Sequence, residues 1–371
     1  MRPRGGGGQT VSDSNALVKC LVWDLDETLW HGTVLEDGEV RLTDEIRDVI
    51  VALDSRGILQ AVASKNDHDV AWAKLEEFGL AEYFVTSRIW WHPKSQSVRE
   101  IAEQLQFAHG TIAFIDDQPT ERAEVAFHLP EVRCYPADQA TALTGLPEFS
   151  PEVVTVDARR RRQMYQATQR REAERSDFSG PDEEFLRSLE LEMRIGRAGE
   201  EELTRVEELT RRTSQMNATG VHYSDSVLRG LLADSRHEVL VTTMRDRFGP
   251  HGAVGVLLVE RHPSVWHLKL LATSCRVVSF GAGAVILNWL VDQAAQDGCH
   301  LVADFRATDR NRIMEVAYRF AGFAENDCGC RDDIPAADGP EGLQRLHLVP
   351  SARPSATTVR LEAPDLTTLP V

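Results

Sequence analysis

The chain's most regular feature is a set of short apolar runs, each stopping at a cluster of polar residues. In LVKCLVWDLDETLW (17–30), Leu17, Val18, Leu21 and Val22 lead to Asp24, Asp26 and Thr28. Ile58 to Ala63 is a second run and ends at Ser64-Lys65-Asn66-Asp67; Thr111 to Ile115 is a third and ends at Asp116-Asp117. Near-continuous apolar runs are what strands buried on both faces of a parallel sheet require. Between them the period changes. Ile46, Val49, Ile50 and Leu53 recur at helical spacing from Thr43 to Gly57, His68 to Phe78 carries Val70, Leu75 and Phe78, and Ser97 to Leu105 is a third helix. HGTVLEDGEVRL, after Trp30, reads as a small hairpin or flap turning at Asp37-Gly38. Tyr83 to Val85 reads as a short strand, and Lys94 falls in a loop with Trp90 and Trp91. The alternation predicts an α/β, Rossmann-like unit with helices on both faces of a parallel sheet.

Ala137 to Pro151 reads as a connection, and Val156 to Arg175 as a polar helix ending before Ser179-Gly180-Pro181. From Phe185 the pattern is different. Leu186, Leu189, Leu191, Met193 and Ile195 lead from a short helix into a strand, followed by helices over Glu201 to Arg212 and Ser226 to Leu232. Glu238 to Arg245, Ala253 to Arg261 and Val265 to Ala272 read as an antiparallel unit. A helix within Val277 to Asp297, a strand at His300 to Phe305 and a helix at Asn311 to Ala321 complete an α+β half. CGCRDD, from Cys328, reads as a turn. The predicted organisation is a flexible tail (1–16), a first domain (17–150), a linker with a basic helix (151–184), a second domain (185–350) and a C-terminal tail (351–371).

Composition narrows the classes. A chain of 371 residues exceeds one ordinary core, so two domains are expected. No apolar run approaches a membrane span, and MRPRGGGGQTVSDSN has no signal-peptide core. Six unevenly spaced cysteines do not make a disulfide framework, and Cys328 and Cys330 are too close for a Cys-x-x-Cys site; a reducing cytoplasm is expected. The net charge of −17 excludes general nucleic-acid binding but leaves room for a basic patch. Arg159 to Arg162 with Arg170 and Arg171 are that patch: either a solvated face pairing with nearby acids or a dock for an acidic partner.

The polar strand ends carry the candidate chemistry. Residues two apart on an extended segment point the same way, so Asp24, Asp26 and Thr28 would project together. Open α/β sheets gather ligands at the carboxyl ends of their strands. Asp24 would attack phosphorus, and Asp26 would give and later take a proton. Thr28, Ser64 and Lys94 would hold phosphoryl oxygens. Asp116, Asp24 and a backbone carbonyl near Asp26 would bind Mg²⁺. Taken singly, Ser64 reads as a helix cap and Lys94 as a surface lysine; their order at successive strand ends favours the phosphoryl site.

DLDET, a serine after the second strand, a loop lysine and a late Asp-Asp pair resemble the haloacid-dehalogenase superfamily of aspartate-nucleophile phosphohydrolases. More finely, KCLVWDLDETLWHGTVLEDG, ASKND, the tryptophan-rich approach to Lys94 and FIDDQPTER resemble the FkbH-like family. TSQMN, RDRFGPHGAVG, SCRV and AYRFAGF are its markers in the second half, where the element order resembles an N-acetyltransferase-like fold. The resemblance covers about residues 17 to 350 and implies an enzyme of polyketide-type pathways. Such an enzyme takes a glyceryl unit from 1,3-bisphosphoglycerate, removes phosphate and loads an acyl carrier protein.

It further implies that Cys275 carries the acyl group. By its own pattern Cys275 is either a small buried hydrophobe or a thiol activated at a helix start. Asn217, His251 and Arg276 are the other acyl-site candidates, with His222 and His267 as alternative bases. Two positions depart from the family pattern. Lys269 stands where the family has Asp, about 20 Å along a strand from Cys275, and Ser279-Phe280-Gly281 replaces Gly-Arg-Gly. They motivate a rival, a plain magnesium-dependent phosphatase. A second rival is a carrier-docking scaffold using the basic helix.

Overall fold

The computed structural model describes residues 17–37, 39–212, 216–308, 311–335, 341–351 and 357–368. Contacts divide the chain into two compact units, Met1–Gln166 and Ala167–Val371. The tail expected over 1–16 lies outside the described residues, as do Gly38 and Thr213 to Gln215.

The first unit runs β1 (Cys20–Trp23), α1 (Val34–Asp37), α2 (Asp44–Ser55), β2 (Leu59–Ser64), α3 (His68–Glu77), β3 (Phe84–Ile89), α4 (Lys94–Leu105), β4 (Ile112–Asp116), α5 (Pro119–His128) and β5 (Arg133–Pro136). The described strands form one parallel sheet in the order β3-β2-β1-β4-β5. Every residue of β1, β2 and β4 is buried. Alternation sends Leu21, Trp23, Val62 and Ile115 into one apolar layer and Cys20, Val22, Ala61 and Phe114 into the other. Trp23 Nε1 donates to Gln60 Oε1 at 3.1 Å, and Gln60 Nε2 donates to Ile50 O at 2.9 Å, so the buried amide is satisfied. Helix α2 starts where Thr43 Oγ1 accepts from Ile46 N, and α3 where Asp67 accepts from Asp69 and Val70 N.

Several expectations change. The flap contains the helical turn α1 instead of two extended pieces; Asp37 Oδ2 accepts from Thr33 N at 2.7 Å and closes that turn. Lys94 opens α4, next to the cap residue Pro93, and is not in a loop. The connection at 137–151 forms 3₁₀ turns (Ala137–Gly145, Pro147–Phe149) that bury Leu143 and Phe149.

Helices α6 (Val156–Arg159) and α7 (Arg161–Asp177) follow, and the division between units falls within α7. In the first unit, Gly57 has φ +74°, and a Cβ there would lie 2.5 Å from Ala158 O, so only glycine lets α6 close on the end of α2. Arg162 pairs with Asp54 at 2.9 Å, and Arg161 donates to Gly57 O. In the second unit Arg171 is buried against Asp246 at 2.5 Å. These arginines hold the fold, which removes much of the basic face expected to dock a partner.

The second unit contains α8 (Asp182–Ser188), β6 (Glu192–Arg197), α9 (Leu203–Arg212), α10 (Asp225–Ala233), β7 (His237–Asp246), β8 (Gly249–Arg261), β9 (Val265–Thr273), α11 (Ala282–Gln296), β10 (His300–Phe305), α12 (Arg312–Ala321), β11 (Gln344–Leu348) and β12 (Arg360–Glu362). The sheet order among the described residues is β11-β10-β9-β8-β7-β6-β12. It is antiparallel from β6 to β9, and β9 and β10 run parallel, paired up to Leu268 and Ala303. Beyond that point residues 216–218 take over: Ala218 N bonds Leu271 O, Thr273 N bonds Met216 O, and Arg306 N bonds Ala218 O. Strand β12 pairs parallel with β6, and Leu366 is fully buried. Residues 357–368, expected as part of a tail from 351, therefore contribute a strand and the buried Leu366 to the second core. Leu366→Ala is expected to cost about 2–5 kcal/mol of the second unit's stability, measured by urea unfolding; a loss under about 0.5 kcal/mol would return Leu366 to the tail.

Candidate active site

Strand β1 ends at Trp23 and β4 at Asp116, the two central strands on either side of the point where the sheet order reverses. Asp24 N donates to Ile115 O at 3.0 Å and so stands beside the end of β4. Its carboxylate is buried, and Lys94 Nζ bonds Asp24 Oδ1. The same ammonium lies 3.0 Å from Asp116 Oδ2 and donates to Ala63 O at 2.8 Å. One buried cation thus touches the ends of three strands. Burial works against its charge, but Asp24 and Asp116 outweigh that and raise the Lys94 pKa.

Asp26 and Thr28 do not follow the strand parity expected of them. The chain turns immediately: Leu25 O accepts from Thr28, Leu29 and Trp30 N, and Glu27 has φ +55°. Thr28 returns to Asp24 through that turn, with its Oγ1 3.5 Å from Asp24 Oδ2 and accepting from Asp117 N at 2.9 Å. The Asp26 carboxyl points elsewhere. Its Oδ1 accepts from Trp30 Nε1 at 2.8 Å and Val34 N at 3.1 Å, and its Oδ2 accepts from Asn66 Nδ2 at 2.9 Å. Asn66 Oδ1 takes Asp67 N at 2.8 Å, which fixes the amide so that its NH₂ faces Asp26. Burial raises the Asp26 pKa against the Trp30 and Val34 bonds.

The carboxylate cluster is Asp24, Asp116 and Asp117, one oxygen of each within 4.8 Å of the others. Asp117, not the Asp26 side chain, is the third carboxylate. Asp116 Oδ1 accepts from Gln118 N at 2.8 Å, while Asp116 Oδ2 and Asp117 Oδ1 are buried without a hydrogen-bond donor of good geometry. Among the described residues, Lys94 is the one cation beside Asp116 Oδ2, at 3.0 Å. Oxygens of this kind, with charge in excess of their donors, suit a hard divalent cation. Burial, partly offset by Lys94, pushes the Asp116 carboxyl up to about 6, and burial with the nearby Asp24 charge also raises Asp117. Ser64 is buried at the end of β2, and its carbonyl accepts from Trp90 N at 3.0 Å. A cleft beside the cluster is lined by Glu27, Thr28, His31, Asp117, Arg122 and Asp138.

Sequence reasoning missed Asn66 and underused Asp117. The signal for Asn66 was its place two residues after Ser64; that for Asp117 was its adjacency to Asp116.

In the second unit Cys275 is exposed at the start of a 3₁₀ turn, Cys275–Phe280, which Ser274 caps by accepting from Arg276 N at 3.4 Å. Arg276 Nε also bonds Ser274 Oγ, at 3.2 Å. Asn217 is buried and committed to the backbone. Its Oδ1 accepts from Thr219 N and Gly220 N, and its Nδ2 donates to Val221 O at 3.0 Å. It shapes the 217–221 turn and does not present its amide to an acyl group. His251 Nε2 lies 3.1 Å from Asp246 Oδ2, and the ring sits edge-on to Phe280 at 5.2 Å. Although burial opposes it, His251 and Arg171 hold Asp246 well below the usual carboxylate range. His222 bonds Thr210 O, His267 bonds Asp304, and Lys269 pairs with Glu260. Among the described residues no hydrogen bond joins any of these groups to Cys275.

Residues 31–126 match the family model of the haloacid dehalogenase-like hydrolases. The chain is 27% identical to the N-terminal, phosphatase-domain part of a Bacteroides fragilis protein complexed with Mg, over 37% of this chain and 41% of that one, with a TM-score of 0.34. It thus spans less than half the length of that structure. An acetyltransferase of the GNAT family from Streptococcus pneumoniae is similar at 15% identity over 43% of this chain and 100% of that one (TM-score 0.30). An Escherichia coli ribosomal-protein-alanine N-acetyltransferase is similar at 17% over 44% and 97% (TM-score 0.32). No curated protein matches. The chain thus contains a haloacid dehalogenase-like hydrolase match over residues 31–126, within a parallel-sheet α/β unit, and an α+β unit with a largely antiparallel sheet follows it. Among the described residues no helix is long and apolar enough to cross a membrane.

Two outcomes are expected. Lys94→Ala should lower phosphate release at least about 10²-fold, read in a phosphate-release assay; near-wild-type release would remove Lys94 from the site. Because the Asp116 carboxyl is raised to about 6, it protonates as pH falls through that value. Apparent Mg²⁺ affinity should therefore weaken below pH about 6. In metal-free protein the sign is reversed: the cost of ionising Asp116 is absent below its unfolded pKa of about 3.9 and grows as pH rises to about 6. Mg²⁺ titrations and urea midpoints across pH 4 to 8 check both signs.

Proposed function

We propose that the chain is a bifunctional FkbH-like enzyme. It takes a glyceryl unit from 1,3-bisphosphoglycerate or a similar acyl phosphate, hydrolyses phosphate at Asp24, and passes the unit to the thiol of an acyl carrier protein. The observation that carries the phosphohydrolase half is the buried Lys94 ammonium between Asp24 and Asp116 at the carboxyl ends of β1 and β4.

At that site Lys94, with the hydroxyls of Thr28 and Ser64, offsets the charge of an incoming phosphoryl group. An Asp24 oxygen bonds phosphorus as the bond to the leaving oxygen breaks, and Asp26 gives that oxygen its proton. Water then attacks the aspartyl phosphate and yields a proton to Asp26, which frees phosphate and restores Asp24. Asp24, Asp116 and Asp117, with the backbone carbonyl of Asp26, would hold Mg²⁺, whose charge would screen the crowded oxygens.

The transfer half rests on the exposed Cys275 thiol at a capped turn. Its sulfur would bond the acyl carbon as the acyl–phosphate bond breaks, and the carrier thiol would then displace it at little thermodynamic cost. A second reading, a magnesium-dependent phosphatase without transfer, is favoured by the internal commitment of Asn217 and the pairing of Lys269 with Glu260. The docking-scaffold reading loses support because Arg161, Arg162 and Arg171 bond within the fold. The six unpaired cysteines suit a reducing cytoplasm.

Incubation with 1,3-bisphosphoglycerate is expected to leave glyceryl or phosphoglyceryl mass on Cys275, absent in Cys275→Ser. Asp24→Asn is expected to stop hydrolysis of the phosphate ester and to leave the phosphoglyceryl form. Ester hydrolysis without any adduct, by intact and peptide mass spectrometry, would decide for the phosphatase reading.

A further inference from the structure

A second group of ligand-type side chains gathers at the β10–β11 edge of the second unit. His300 opens β10, His347 lies on β11, and Cys328 and Cys330 flank Gly329 at the start of the 3₁₀ turn Gly329–Asp333. One ligand atom of each lies within 4.8 Å of every other. His300 Nδ1 is 3.4 Å from Cys328 Sγ and 3.1 Å from His347 Nε2.

Hydrogen bonding alone does not account for this convergence. An imidazole nitrogen has one in-plane position, taken by either a proton or a lone pair, so Nδ1 of His300 can satisfy only one of its two close neighbours. A cation at the centre satisfies all of them. With Zn–N near ~2.05 Å and Zn–S near ~2.3 Å, tetrahedral edges are roughly 3.3 Å between nitrogens and roughly 3.6 Å between nitrogen and sulfur. The two separations above lie within about 0.2 Å of those edges. Two thiolates and two imidazoles are donors that Mg²⁺ avoids and Zn²⁺ prefers.

The local structure gives such an ion a task. The turn has little core of its own: Ile334 packs with Val265 and Val302, and half-buried Cys330 lies against them. Otherwise it is tied by polar contacts, including Ser264 Oγ to Asp333 and Arg331 to Arg345 O. Another group, Glu260, His262 and His267, is as close together. There, however, Lys269 already pairs with Glu260 and Asp304 with His267, so the Glu260 carboxylate has a cation of its own.

We propose that His300, Cys328, Cys330 and His347 form a structural Zn²⁺ site that fastens the 328–335 turn to the β10–β11 edge. Four protein ligands close the coordination shell, so the ion stabilises and does not catalyse. Full-length protein, prepared without metal-affinity resin and dialysed, should carry about one zinc per chain by elemental mass spectrometry. Chelation should expose two further reactive thiols, and cobalt substitution should give sulfur-to-metal charge transfer with strong tetrahedral d–d bands. Cys328→Ser with Cys330→Ser should lose the zinc, whereas Cys275→Ser and Asp116→Asn should keep it. Should the double variant fail to fold, the wild-type cobalt spectrum and thiol count still decide. Zinc retained by a folded double variant, wild-type protein that takes up neither zinc nor cobalt, or a Cys328–Cys330 disulfide in fresh protein would overturn the site.

Discussion

The first unit depends on one buried ammonium. Asp24, Asp116 and Asp117 bring three carboxylates to the meeting point of two strands, where burial and the Asp24 charge oppose ionisation of Asp116 and Asp117. Lys94 makes that crowding tenable, and its position is costly in local terms. It opens α4, where the helix dipole disfavours a cation, and only 2% of its surface is exposed. A locally unfavourable residue held in place by its partners is a frequent mark of a functional site. Replacing one member of such a buried set leaves the others uncompensated, so the site's order depends on all of them together.

The parallel core was legible because its strands are buried on both faces and must be apolar throughout. Strands β1 and β4 appear in the sequence as apolar runs for that reason, and β2 as a run broken only by the internally bonded Gln60. Strand β5 (Arg133–Pro136), at the edge of the sheet and half-buried, carries no such run and left no signal. Strand β12 is three residues long and has alternating exposure, so nothing separated it from a tail. Asp24, Ser64 and Asp116 stood out as candidates because each lies at or just past the end of an apolar strand. The orientations of Asp26 and Thr28 were not legible, because they depend on the left-handed Glu27 and on which way the Asn66 amide faces.

The second unit was readable as a fold and less so as a site. Its order of antiparallel strands followed from pattern, yet Asn217, Lys269, His222 and His267 each commit a polar atom to neighbours invisible in sequence. The same holds in reverse for Cys328 and Cys330. Their spacing argued against a metal site when only the two thiols were counted. The missing donors come from strands 28 residues before Cys328 and 47 residues beyond His300. Sequence spacing tests local motifs; ligands brought together by a sheet edge escape it.

The three donors around Asp26 have a stereochemical consequence. Oδ1 is saturated by Trp30 and Val34, and Oδ2 gives one lone pair to Asn66, so the carboxyl cannot rotate without breaking bonds and has one open position for a proton. A freely turning acid would serve leaving groups arriving from many directions. In the role proposed for it, Asp26 would deliver along a single vector. Discrimination among phosphate esters would then depend less on how acidic the departing alcohol is than on whether its oxygen arrives on that line.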